Sequence, residues 1–178
     1  KHFPVASGKA AWLPSKKQSQ ALHAVDGVTL TIHPGESVGL VGESGCGKST
    51  LIRVIARLLE PTSGQILFDN TLINQIPVNT FARSPYRADI QMVFQDHSDS
   101  LNPRFTAFHT ITEPIKRLGP HHSKQQLKTR ATELAQQVGL PTELLSRFPH
   151  QLSGGQKARV GIARAIALGP KLLILDEP

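Results

Sequence analysis

A chain of 178 residues, 39% apolar and 19% charged, has the make-up of an ordinary globular protein with enough mass for one hydrophobic core. Its net charge of +7 admits an anionic partner, but the Lys and Arg residues are scattered rather than striped, which weakens a nucleic-acid reading. Cys46 is the only cysteine, which excludes an intrachain disulfide or a multi-cysteine metal site and fits a reducing cytoplasm; no apolar run approaches the roughly 20 residues of a membrane span.

No signal-peptide pattern opens the chain. Lys1 stands first, and Pro178 comes directly after an apolar run, so the expectation is a piece of a longer protein. Val28 to Ile32 alternates apolar and polar side chains, the period of a half-buried strand, and His33-Pro34-Gly35 is a turn signal. Val38 to Val41 reads as a short strand buried on both faces. A helix follows, with Leu51, Val54, Ile55, Leu58 and Leu59 on one face and Pro61 expected to stop it. Gln65 to Phe68 and Ile90 to Phe94 read as further strands.

From about Asp96 to His122 the pattern is irregular. Lys124 to Val138 then reads as an amphipathic helix with Ser123 as N-cap and Gly139 at its C-terminal end. A short helix is expected over Pro141 to Arg147, and a longer one from Ser153 to about Leu168. Leu172 to Leu175 is a last apolar strand running into Asp176-Glu177. His121-His122, without further ligands at metal spacing, reads as a solvated loop.

Gly42-Glu43-Ser44-Gly45-Cys46-Gly47-Lys48-Ser49 fits the phosphate-binding P-loop, with an expected strand before it and a helix after it. Small residues let successive N–H groups close around a triphosphate, and the helix that begins there adds the positive end of its dipole. Lys48 is expected to reach the β- and γ-phosphates and the Ser49 hydroxyl to ligate Mg²⁺, with Thr50 completing the ATP-binding run. The strand before Asp176-Glu177 delivers two carboxylates to the carboxyl edge of a sheet, where open α/β sheets bind ligands. Asp176 is expected to hold Mg²⁺ through water, and Glu177 to polarise the attacking water as general base. Gln95 ends a strand and offers a neutral amide to both metal and water.

Ser153-Gly154-Gly155-Gln156 opens a helix with a second anion-binding device. One ATP does not need two such devices from a single chain, so this one is expected to cover the γ-phosphate of ATP held by another subunit. Here His150-Gln151-Leu152-Ser153-Gly154-Gly155-Gln156 resembles the signature motif of the ATP-binding-cassette (ABC) ATPases, and Gln95 falls where the glutamine of their Q-loop lies. The resemblance runs essentially end to end. Lys1-His2-Phe3-Pro4-Val5, Ala24 to Val28, Gly42 to Gly47 and Met92 to Asp96 with Ser100 to Arg104 look like the peptide and nickel importer branch. There an aromatic stacks on adenine, and Phe3 is the candidate with Trp12 its rival.

The resemblance implies an α/β fold: a P-loop core with a mainly parallel sheet, an N-terminal antiparallel β region and an inserted helical subdomain. Residues 1–95 and 170–178 would form the core, and 96–169 the subdomain carrying the signature. It also implies catalytic roles for Lys48, Gln95 and Glu177, Mg²⁺ at Ser49, Gln95 and Asp176, and dimer closure over two MgATP with a second ATP-binding subunit. Transmembrane permease subunits are the other direct partners and an extracytoplasmic binding protein an indirect one, with no nucleic acid expected. The place of action would be the cytoplasmic face of the inner membrane. The departures are His97 for a frequent proline and Ala158 for a frequent glutamine, while the family's D-loop and switch histidine lie beyond the acidic pair. This stretch by itself is therefore expected to turn ATP over negligibly. Dipeptide, oligopeptide and nickel stay open as cargo. The competing classes are an ABC ATPase acting on DNA or ribosomes, and a silent regulatory cassette, against which Lys48, Asp176 and Glu177 argue.

Overall fold

A computed structural model describes residues 1–4, 21–96 and 100–177. Trp12, His97 and Pro178 lie outside the described residues. The chain divides into two compact units, Lys1–Val78 and Asn79–Pro178.

In the first unit, β1 (His2–Pro4) pairs antiparallel with β2 (Ala21–His23), setting His2 opposite His23 and Phe3 opposite Leu22. The turn at His33 forms as its residues dictate: Glu36 N donates to His33 O at 3.0 Å, and Gly35 takes a φ of 78°. The flanking segments differ from expectation. Val28 to Ile32 and Val38 to Val41 have no strand ladder among the described residues, and Val41 is 93% exposed. An extended apolar segment becomes a strand only when a neighbour takes its backbone hydrogen bonds, and alternation in sequence cannot supply that neighbour.

The helix α1 (Lys48–Ile55) follows the P-loop and buries Val54. It ends well before Pro61, because Ala56 caps it and Arg57 turns left-handed at φ 56°. Strands β3 (Leu67–Phe68) and β4 (Thr71–Leu72) form a hairpin whose two-residue turn, Asp69-Asn70, is left-handed at both positions, 47° and 59°. That turn matches the natural twist of paired strands and suits Asp and Asn. Asn74 accepts from Ile66 N at 2.8 Å and anchors the hairpin base.

The second unit begins within α2 (Val78–Phe81) and continues through α3 (Tyr86–Asp89) into β5 (Ile90–Val93), all of whose residues are buried. Strand β6 (Leu172–Leu175) pairs with β5 in parallel, Ile90 opposite Leu172 and Val93 opposite Leu175. Three helices pack together beside this pair: α4 (Ala107–Leu118), α5 (Lys124–Gln137) and α6 (Gly154–Ile166). Ile111, Leu134 and Val160 are at the centre of their shared core, each no more than 1% exposed. Burial of each such side chain stabilises by about 1.5–3 kcal/mol.

Local chemistry explains the helix ends. Ser123 and Gln126 form a reciprocal capping box at the start of α5, and Gly139 at φ 66° takes the chain out of it. The segment after it is a single 3₁₀ turn, Thr142–Ser146, shorter than the helix expected over Pro141 to Arg147. Helix α4 lies inside the stretch that looked irregular. Thr106 caps it by accepting from His109 N, and Ile111 and Ile115 share its buried face, although Pro114 interrupts its hydrogen bonds.

Candidate functional site

The P-loop residues Gly42, Glu43, Ser44, Gly45 and Cys46 are exposed, while Gly47, Lys48, Ser49 and Thr50 are half-buried where α1 begins. Gly47 occupies the N-cap of α1 and, having no side chain, leaves the first N–H groups of the helix uncapped. Gly45 and Gly47 take φ values of 80° and 99°, a region that any side chain resists. At Gly47 a second constraint applies, since a Cβ there would meet the Ala24 carbonyl oxygen at 2.0 Å. The Lys48 ammonium folds back over the loop, donating to Gly42 O at 2.6 Å and Glu43 O at 2.7 Å. It thereby ties the loop into a ring, with those carbonyl contacts exchangeable for phosphate oxygens. This open cradle of N–H groups, with a lysine hinged over it, fits a polyphosphate. Phe3 is half-buried in β1 with the Lys1 ammonium over its ring, 5.2 Å from the centroid.

In the second unit the parallel register of β5 and β6 brings two chain ends to one edge. Asp176 N donates to Val93 O at 3.0 Å, extending the ladder past β6. One residue farther, Glu177 is exposed and left-handed at φ 47°. Gln95, two positions past β5, donates from Nε2 to Glu177 Oε2 at 2.6 Å. Asp176 is buried, 8% exposed. An exposed carboxylate held in a sparsely populated backbone conformation beside a buried one is the kind of strain that clusters at functional sites.

The start of α6 carries the remaining device. Ser153 Oγ accepts from Gln156 N at 3.3 Å, and Gln156 Oε1 accepts from Ser153 N at 2.9 Å. Ser153 and Gln156 thus form a capping box, and the glycines between them face solvent. A Cβ at Gly154 or Gly155 would meet nothing within 4 Å, so no contact within the described residues calls for glycine there. Small residues without an internal reason are what a surface needs if another molecule must come close.

One further link has no local signal in the sequence. Arg164 on α6 reaches past its helix to donate from Nη1 to Ser100 O at 2.8 Å, tying the helix that begins at Ser153 to the segment after Gln95. Burial pulls the Arg164 guanidinium down from its ordinary value and the charge of Arg87 adds to the effect. Burial lowers Arg87 likewise.

Comparison with known proteins shows the family and the fold. The chain is 46% identical over 99% of its length to the oligopeptide transport ATP-binding protein OppF of Escherichia coli, covering 52% of that protein. It is 48% identical to OppF of Lactococcus lactis subsp. lactis, over 99% of the chain and 53% of that protein. The chain therefore spans about half the length of the curated relatives it matches. Among solved structures, the ATP-binding cassette MJ0796, in a dimeric post-hydrolysis state bound to ADP and Pi, superposes with a TM-score of 0.78 at 31% identity. That match covers 90% of this chain and 68% of the cassette, and it carries the α/β P-loop NTPase fold. The family model described as ABC transporter matches residues 25–178, which include both the P-loop and the signature segment, and the chain belongs to that family.

Proposed function

We propose that this chain is the nucleotide-binding part of an ATPase subunit that powers an ABC importer for oligopeptides. The observation that carries the reading is the parallel β5–β6 pair, which sets the amide of Gln95 against the carboxylate of Glu177 at one strand edge. The names of the relatives support the peptide cargo.

ATP is the substrate. Gly42, Glu43, Ser44, Gly45, Cys46, Gly47 and Thr50 line its phosphates through backbone N–H groups, and the Lys48 ammonium exchanges its carbonyl contacts for phosphate oxygens. Phe3 offers its ring face to adenine. Mg²⁺, when bound, would neutralise charge on the phosphates; the Ser49 hydroxyl, the Gln95 amide oxygen and, through water, Asp176 would hold it. Glu177 accepts the proton of the attacking water, and the Gln95 amide holds that carboxylate in place. Ser153, Gly154, Gly155 and Gln156 cover the γ-phosphate of ATP held by a second ATP-binding subunit, the role that their open surface allows. Residues 96–169 act as the helical subdomain that carries this cover.

No helix among the described residues is long and apolar enough to cross a membrane. In this reading, which rests on the family and the names of the relatives, transport runs through separate permease subunits, fed by an extracytoplasmic binding protein, with this chain on the cytoplasmic face of the inner membrane. The test is Glu177→Gln in the full-length subunit, read by phosphate release and by retention of ATP. Removal of a general base lowers turnover by about 10²–10⁴-fold, with ATP still bound. Turnover at the unmodified rate would remove Glu177 from this role.

A further inference from the structure

We propose that His2, His23 and Asp26 form a binding site for a divalent first-row transition-metal ion. The register of β1 and β2 sets His2 opposite His23, and side chains alternate along a strand, so both imidazoles lie on the face away from Phe3 and Leu22. The two rings stack with centroids 3.8 Å apart and planes 10° from parallel. Asp26 reaches both from the turn after β2: Oδ2 lies 3.2 Å from His23 Nδ1, and Oδ1 lies 3.6 Å from His2 Nε2. One ligand atom from each of the three residues lies within 4.8 Å of the other two.

The backbone holds this triad in place. Ala24 N and Val25 N both donate to Lys1 O, at 3.1 and 3.2 Å, and His2 N donates to Thr62 Oγ1 at 2.9 Å.

Two imidazole nitrogens and one carboxylate oxygen are a donor set for Zn²⁺, Co²⁺ or Ni²⁺, whereas Mg²⁺ and Ca²⁺ prefer oxygen alone. Metal–nitrogen bonds of about 2.0–2.1 Å require the rings to tilt toward a common point, which the exposed His23 ring is free to do. Three protein ligands at a solvent-facing site leave the remaining positions to water or to an exchangeable ligand. A bound ion would fasten β1 to the turn after β2. No residue assigned to nucleotide takes part, so this site stands or falls independently of the ATPase reading.

The test uses Zn²⁺ titrated against a chromophoric chelator, and Co²⁺ followed by its visible absorption, on the unmodified chain. One equivalent of ion should bind, excess Mg²⁺ should not displace it, and the Co²⁺ bands should change when a nitrogen ligand is removed. His23→Gln and Asp26→Asn, both at exposed positions, should each weaken binding at least about 10-fold. A His121→Gln, His122→Gln double variant should bind as the unmodified chain does. Lack of stoichiometric binding, binding unchanged by both His23→Gln and Asp26→Asn, or binding lost in the His121→Gln, His122→Gln variant would each overturn the site.

Discussion

Gln95 donates its amide to Glu177 across 2.6 Å, although the two residues are far apart in sequence, because β5 and β6 run parallel and end at the same level. The amide engages one carboxylate oxygen and leaves the other free for water. Gln95 is thereby a positioning residue for the base as well as a candidate Mg²⁺ ligand. Gln95→Ala should lower kcat for ATP about 10–100-fold, since small displacements of a catalytic group carry penalties of that size. Steady-state phosphate release, with KM for ATP measured alongside, checks this; an unchanged kcat would leave the contact without a catalytic purpose.

Gly47 is the position where the P-loop tolerates least. A side chain there faces both a left-handed backbone at φ 99° and the Ala24 carbonyl oxygen at 2.0 Å. Gly47→Ala should move the loop away from Ala24 and weaken ATP binding, with a stability loss of at least about 1–3 kcal/mol from the backbone strain alone. Equilibrium nucleotide binding and thermal unfolding measure the two effects. Gly45→Ala meets the same backbone resistance but open space, so it should be the milder change.

The Ser153 hydroxyl has two roles that substitution separates. As an N-cap it stabilises α6 by about 1 kcal/mol, and Asp serves as well as Ser in that position. Ser153→Ala should therefore lower the melting temperature. Ser153→Asp should keep it, yet place a negative charge where the partner's γ-phosphate would arrive. Size-exclusion chromatography with ATP, in a Glu177→Gln background, should show dimer for Ser153 and monomer for Ser153→Asp. Dimer in both would reduce Ser153 to a helix cap.

What was legible in the sequence was what local chemistry encodes. Ser123 and Ser153 marked their helices because a capping box is written within four residues, and Gly139 marked an exit because only a left-handed turn follows. Strands β5 and β6 were legible as apolar runs of strand length. Helix α4 was hidden because the turn signals Asn102-Pro103 and Gly119-Pro120 at either side of it outweighed the spacing of Ile111 and Ile115. Val28 to Ile32 and Val38 to Val41 carry strand periodicity, but pairing depends on residues elsewhere in the chain. The P-loop, the acidic pair and the signature segment were readable as motifs. The Gln95–Glu177 contact, the Arg164–Ser100 link and the His2–His23 stack depend on register or on distant packing, which no local pattern contains.

In the assembly proposed above, two copies of the cassette close on ATP, the lysine loop of one facing the serine-glycine turn of the other. Cys46 lies in that loop and is the only cysteine of these 178 residues, so Gly154→Cys, with any cysteine elsewhere in the full-length subunit changed to Ser, creates a reporter pair between copies. With the full-length Gly154→Cys, Glu177→Gln protein and a short bifunctional thiol reagent, MgATP should produce a crosslinked dimer that Cys46→Ser abolishes. A protein that binds ATP under the same conditions and yields no such crosslink would contradict the account.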